Sequence, residues 1–186
     1  MKLILASQSP RRSELLRLAG FSFRVRACPV EEVRAAGEEA REYVTRLAQS
    51  KAEAAWRGAT EIVLGADTTV VLGERILEKP ADADDARSML TALSGREHTV
   101  LTGICLRHPG GAIVDYESTR VHFTALSSGE IDAYVASGEP MDKAGAYAIQ
   151  GLASKFVDRI EGCYFNVMGL PLARVYRHWK ALGSGA

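Results

Sequence analysis

The sequence predicts an α/β fold, with helices flanking a mixed sheet. Segments of strand period alternate with segments of helix period along the chain. At least one pair of strands is joined by a tight turn and must be antiparallel, which sets a purely doubly wound sheet aside. The 186 residues, 47% of them hydrophobic, supply a real core. They read as one domain, 1–186, or two tightly joined lobes.

Lys2 to Ala6 is a short buried strand, and Ser7 to Ser9 a loop. Pro10 opens a helix because its fixed φ suits the first helical position, with Ser9 placed to cap it. Leu15, Leu16, Leu18 and Ala19 form its apolar face and Gly20 ends it. Phe21, Phe23 and Val25 alternate with polar residues, the strand period. Glu38 to Arg57 is a long helix whose stripe is Ala40, Val44, Leu47, Ala48, Ala52 and Ala55. Glu61 to Ala66 is a strand that continues extended from Thr68 to Leu72. Gly73-Glu74 turns it back through Ile76 and Leu77. Asp82 caps the next helix, with Asp84 and Asp85 in its first turn, and Gly95 ends it. Thr99–Leu106 and Ala112–Leu126 are strands around Pro109-Gly110-Gly111. Ser128 starts a helix, Met141–Gly151 reads as loop, Phe156–Ile160 as strand. Pro171 opens the last helix, and Gly183–Ala186 reads as a frayed tail.

Lys plus Arg and Asp plus Glu are both 23, so a protein that coats nucleic acid or membrane through a general basic field is disfavoured. Any anion must be held by a local cluster. Cys28, Cys105 and Cys163 are an odd set without Cys-x-x-Cys spacing and read as reduced thiols. The four histidines lack a metalloprotease-type spacing. No segment approaches the roughly 18 apolar residues of a membrane span, and the expected location is the cytoplasm. A P-loop, a Gly-x-Gly-x-x-Gly fingerprint and a Gly-x-Ser-x-Gly elbow are all missing. An ATPase motor, a dinucleotide dehydrogenase and a serine hydrolase are therefore disfavoured.

Arg11-Arg12 stand in the first turn of a helix, where the macrodipole disfavours cations by roughly 0.3–1 kcal/mol each. Either an anion occupies the site, or packing offsets the cost. With Ser7 and Ser9 and the free N–H groups, the first reading suits phosphate oxygens. Lys51 lies on the inward stripe of its helix, either snorkelling or aimed into a polar cleft. Asp67 follows a buried apolar strand, where a carboxylate can hold a hard cation or act as a base; a turn aspartate would look alike. Glu31-Glu32 could add a metal oxygen or be a polar loop. Lys79 at a strand break reads as exposed. Gln150, among small residues, can read a base edge through both donor and acceptor.

The order of these segments is more specific than any of them. Leu5-Ala6-Ser7-Gln8-Ser9-Pro10-Arg11-Arg12, Gly65-Ala66-Asp67-Thr68-Thr69, Leu77-Glu78-Lys79-Pro80 and Leu93-Ser94-Gly95-Arg96-Glu97-His98 resemble the signatures of the Maf family. Thr102-Gly103, Asp142-Lys143-Ala144-Gly145-Ala146-Tyr147, Ile149-Gln150-Gly151 and Val167-Met168-Gly169-Leu170-Pro171 extend the match over nearly the whole chain. The resemblance implies an elongated mixed sheet with a deep cleft between two lobes, similar to the inosine triphosphatases. It also implies a nucleoside triphosphate pyrophosphatase needing a divalent cation. The Gln150-Gly151 version looks like the branch acting on dTTP and UTP. Ala148, where Gly is common in the family, is a departure that adds only a methyl.

By that carry-over Asp67 is the proton acceptor, and Arg11, Thr68 and Gln150 occupy positions linked to substrate choice. Glu32, Lys51 and Lys79 match polar active-site positions. The expected chemistry is hydrolysis at the α-phosphorus. Mg²⁺ or Mn²⁺ is expected on Glu32 and Asp67, phosphate oxygens on Ser7 and Ser9, and Arg11, Arg12, Lys51 and Lys79 around the leaving pyrophosphate. A homodimer is suggested by the family. Two alternatives are a 7-methyl-GTP pyrophosphatase and a non-catalytic nucleotide-binding regulator of cell division.

Overall fold

The computed structural model describes residues 1–183. In chain order the elements are β1 (Lys2–Leu5), α1 (Pro10–Leu18), β2 (Phe23–Val25), α2 (Ala40–Ala55), β3 (Glu61–Leu72), β4 (Arg75–Leu77) and α3 (Ala83–Leu93). There follow β5 (Glu97–His108), β6 (Gly111–Phe123), α4 (Ser128–Ala136), three 3₁₀ turns between Glu139 and Phe156, β7 (Val157–Glu161), α5 (Tyr164–Val167) and α6 (Leu172–Ala181). The strands form one seven-stranded sheet in the order β2-β1-β3-β5-β6-β7, with β4 on β3. It is mixed, as expected: β1 runs parallel to β2 and β3, while β3–β4 and β6–β7 are antiparallel. Among the described residues no helix is long and apolar enough to cross a membrane.

The chain divides into two compact units, Met1–Thr68 with Thr102–Glu117 and Gly169–Ala186, and Thr69–Leu101 with Ser118–Met168. In the first unit, Ile4, Ala6 and Val63 meet Ala48, Ala52 and Ala55 of α2. The contact is unusually close because two glycines face the helix. A Cβ at Gly65 would meet the Ala48 carbonyl at 2.1 Å, and one at Gly103 the Val44 carbonyl at 2.3 Å. With no side chain between them, α2 lies backbone to backbone on the sheet. Helix α6 docks through Trp179 and Tyr176, both edge-on to Phe21. Arg174 anchors it to Asp115 and Glu117 of β6.

The second unit has a larger core built from Val70, Leu77, Met89, Leu90, Leu93, Phe123, Tyr134 and Phe156, among others. Asp82 caps α3 by accepting from the N–H groups of Asp84 and Asp85. Ser127 caps α4 in a reciprocal box with Glu130. At its centre, the buried imidazole of His98 packs edge-on to Phe123 and Tyr147. Its Nε2 is 2.8 Å from the Tyr147 hydroxyl.

Several expectations are corrected. Ser9 occupies the N-cap position of α1 but makes no capping bond; its own N–H instead donates to Ser7 Oγ at 3.2 Å. Pro171 sits one residue before α6 rather than inside it. The stretch from Met141 to Gly151 contains 3₁₀ turns, and Tyr164–Val167 forms a short helix where none was expected. Of the expected tail, residues 184–186 lie outside the described residues.

Candidate active site

The parallel pairing of β1 with β3 decides where the polar residues of the first unit gather. Leu5 pairs with Leu64, and the Ala6 N–H still donates to the Leu64 carbonyl at 2.8 Å. Beyond this point β1 gives way to the loop of Ser7 and Ser9, while β3 continues alone into Asp67 and Thr68. Both strands thus deliver their polar residues at the same carboxyl-end level, the customary place for a ligand in such a sheet.

Asp67 shares a face of β3 with Val63 and Gly65, by strand alternation. That is the face covered by α2, and the bare contact at Gly65 brings Lys51, one turn beyond Leu47, close to it. The Lys51 ammonium donates to Asp67 Oδ1 at 2.6 Å and lies 2.8 Å from Glu32 Oε1. The Lys51 side chain is only 13% exposed. Of its two sequence readings, snorkelling and an ammonium aimed into a polar cleft, the first is set aside, since the ammonium is paired with two carboxylates instead. Asp67 is itself 7% exposed. Burial pushes its carboxyl above the ordinary value, a shift only partly opposed by the charges of Lys51 and Arg12. A carboxyl held this way is poised to take up a proton nearer neutrality than a surface aspartate is.

Arg12 is the second buried ion of the site, 9% exposed. Its Nε donates to the Gly169 carbonyl at 2.9 Å, one terminal nitrogen to Ser7 Oγ at 3.1 Å and the other to Thr68 Oγ1 at 3.0 Å. Burial lowers its pKa and the Asp67 charge opposes that. Three of its five N–H groups are thus spent inside the protein. The unfavourable position of this cation at a helix start is offset by these bonds and by Asp67. Gly169 adopts φ +104°, and a Cβ there would come 3.5 Å from Thr68 Oγ1 and 3.8 Å from Arg12 Nε. The backbone turn that aims its carbonyl at Arg12 is one that side-chain-bearing residues rarely adopt. Arg11, its neighbour, is half-buried.

Seven of the ten residues singled out in the sequence take part in two sets of bonds within the first unit: Ser7, Ser9, Arg12 and Thr68 are joined by hydrogen bonds, and Glu32, Lys51 and Asp67 by ion pairs. Arg11 adjoins the first set in the chain. Lys79 and Gln150 belong to the second unit, and both are exposed. Two participants had no assigned role. Thr102, completely buried on β5, places Oγ1 2.9 Å from Thr68 Oγ1, and Gly169 supplies the carbonyl that fixes Arg12. A hydroxyl inside the apolar run from Val100 to Leu106 was the available signal for the first.

The donor set also bears on a metal. Among the described residues no group of three His, Cys, Asp or Glu side chains is placed to hold one. Asp67 and Glu32 present hard carboxylate oxygens around one ammonium. Two carboxylates completed by a ligand's phosphate oxygens fit Mg²⁺, which is commonly bound in that way.

Comparison with known proteins agrees with these motifs. A family model described as Maf-like protein matches residues 2–182. The chain is 54% identical over 184 residues to the dTTP/UTP pyrophosphatase of Koribacter versatilis (strain Ellin345), covering 98% of this chain and 95% of that one. It is 52% identical to the protein of the same name from Anaeromyxobacter dehalogenans (strain 2CP-C), over 92% and 89% of the two chains. Identity to that of Geobacillus sp. (strain WCH70) is 49%, over 98% of each. Among solved structures, the Staphylococcus aureus Ham1 protein aligns with TM-score 0.55 over 97% of this chain and 100% of that one. At 15% sequence identity this is a likeness of fold.

Proposed function

The chain belongs to the Maf family, and from that premise we propose that it hydrolyses dTTP and UTP to the monophosphate and pyrophosphate. The observation that carries the reading is the buried Asp67 carboxyl, raised in pKa by burial yet held by the Lys51 ammonium at 2.6 Å. It is joined by relatives of about half identity that bear the name dTTP/UTP pyrophosphatase.

In this reading water attacks the α-phosphorus, the bond to the bridging oxygen breaks, and pyrophosphate leaves. Asp67 accepts the proton that the attacking water loses. Lys51 keeps Asp67 oriented through Oδ1. Ser7 and Ser9 offer hydroxyls to phosphate oxygens. The first turn of α1 adds amide N–H groups, and Arg11 a guanidinium. Arg12 keeps two N–H groups beyond the three used internally. Lys79 and Gln150 enter on their motifs alone, the lysine as a phosphate cation and the glutamine as a reader of the base. Glu32 and Asp67 would hold a divalent cation, Mg²⁺ or Mn²⁺, which when bound neutralises phosphate charge and acts as a Lewis acid. A cytoplasmic enzyme acting on the free nucleotide pool completes the proposal.

The test is pyrophosphate release from a panel of nucleoside triphosphates, with and without added Mg²⁺ or Mn²⁺. Turnover of dTTP and UTP ahead of 7-methyl-GTP is expected. Nucleotide binding without pyrophosphate release would favour a regulator instead.

A further inference from the structure

We infer that Tyr43 and Arg46 are positioning residues that hold the segment carrying Glu32 on α2, so that the Glu32 carboxylate stays beside Lys51 and Asp67. The inference rests on the pyrophosphatase reading and deepens it, since Glu32 can share in that chemistry only while its loop keeps it in place.

Between β2 and α2 the chain runs from Arg26 to Glu39 without strand or helix, and the residues from Glu31 to Gly37 are exposed. A segment of that kind opens easily unless something ties it down. The ion pair of Glu32 with Lys51 spans 2.8 Å, but the Glu32 side chain is 47% exposed. A pair open to solvent on one side contributes little, because water competes for the charge and side-chain freedom is lost. The pair therefore does not account for the placement of the loop.

Bonds from α2 to the main chain of the loop do. The Tyr43 hydroxyl donates to the Glu32 carbonyl at 3.1 Å, and Arg46 Nη2 donates to the next carbonyl, that of Val33, at 2.9 Å. Tyr43 and Arg46 stand three residues apart and so lie on one side of the helix. Each is itself fixed. Tyr43 is 2% exposed, so its ring is set by the core. Arg46 is forked onto Glu38, with Nε donating to Oε1 at 2.6 Å and Nη2 to Oε2 at 2.8 Å. Glu38 in turn accepts from the Ala35 N–H at 3.0 Å. Tyr43, Leu47 and Lys51 follow one another along one stripe of α2. The stripe that presents the ammonium to the Glu32 carboxylate thus also holds the Glu32 carbonyl. Both ends of one residue are fixed from a single rigid element.

The experiment compares the parent, Tyr43→Phe, Glu32→Ala and the double variant by amide hydrogen exchange and by kcat/KM for dTTP. In Tyr43→Phe the amides of residues 31–37 should exchange roughly tenfold faster while those of α2 keep their rates. Its kcat/KM should fall about tenfold. In the Glu32→Ala background the same change should again speed exchange but lower kcat/KM no further, because the carboxylate it positions is gone. A merely structural tyrosine would cost the same in both backgrounds. Equal losses therefore overturn the inference, as does unchanged exchange in Tyr43→Phe. If Tyr43→Phe does not fold, Arg46→Met, which leaves the buried ring in place, is put to the same two measurements with the same deciding outcomes. If Glu32→Ala shows no turnover, exchange alone decides. If the parent cleaves no triphosphate, the pyrophosphatase reading itself fails. Faster exchange in Tyr43→Phe then still supports the holding of the loop, and unchanged exchange overturns it.

Discussion

Lys51 stands between two carboxylates, its Nζ 2.6 Å from Asp67 Oδ1 and 2.8 Å from Glu32 Oε1. The two partners differ in kind. Glu32 is about half exposed, with 47% of its side-chain surface open, whereas Asp67 is nearly enclosed. Loss of Lys51 would therefore fall mainly on Asp67, which would remain buried with Arg12 as its remaining nearby cation.

That asymmetry gives a pH prediction. Burial raises the Asp67 pKa and Lys51 pulls it down. A base must be ionised to accept a proton, so kcat/KM should fall on the acid side at a pH above the ordinary aspartate value. In Lys51→Met the lowering influence is gone, and the acid limb should move to still higher pH. Asp67→Asn should lose about 10²-fold or more in kcat, the usual size of a general-base contribution. Pyrophosphate release across a pH series checks both; an unshifted acid limb in Lys51→Met would sink the assignment.

Gly65→Ala tests the contact that places Lys51. Its Cβ would meet the Ala48 carbonyl at 2.1 Å and the Ala52 nitrogen at 2.8 Å, and backbone on both sides leaves no flexible group to give way. Overpacking of this sort costs about 1–3 kcal/mol or more, and α2 must move outward with Lys51. Chemical denaturation should show the loss of stability. Activity should fall by more than that loss explains, even in the folded fraction.

His98 should make the protein acid-sensitive. Burial lowers its pKa to about 4, against an unfolded value of roughly 6.5. The folded state therefore holds His98 neutral. Its contribution is fully present above the unfolded pKa and is lost as pH falls from there toward the folded pKa. The full span corresponds to about 3 kcal/mol. Unfolding free energies measured between pH 4 and 7 should show this slope, and a His98→Gln variant should flatten it.

The thiols should separate in reactivity. Cys105 is buried, and burial pushes its pKa up to about 12; the thiolate needed for reaction is then scarce. Cys28 and Cys163 are partly exposed. A thiol reagent at neutral pH should leave Cys105 unlabelled in the native protein and reach it on unfolding. Native labelling of Cys105 would contradict the packing of the first unit.

The mixed sheet was legible because strand and helix periods are local, and so was the cap at Asp82. The surroundings of Arg12 were not. Its position at a helix start pointed to an anion, whereas three of its bonds run to protein atoms, one of them 157 residues away at Gly169. Lys51 was correctly placed on the inward stripe, but its partner lies on another element, so spacing could not choose between solvent and carboxylate. Ser9 stands at the N-cap position, but its side chain makes no capping bond, a matter of side-chain rotamer that residue type alone does not show. Tyr164–Val167 spans four residues, too few to show a period.

Ser7 carries a consequence of its own. Its oxygen already accepts from Arg12 and from the Ser9 amide, so both lone pairs are occupied and only the proton is left to offer. The hydroxyl is a rotor stopped in one setting before any ligand arrives. A group in that state welcomes oxygen acceptors such as phosphate and turns away amines and alcohols that need an acceptor. In the proposed reading the first loop would thereby distinguish ligands by the sign of their hydrogen bond.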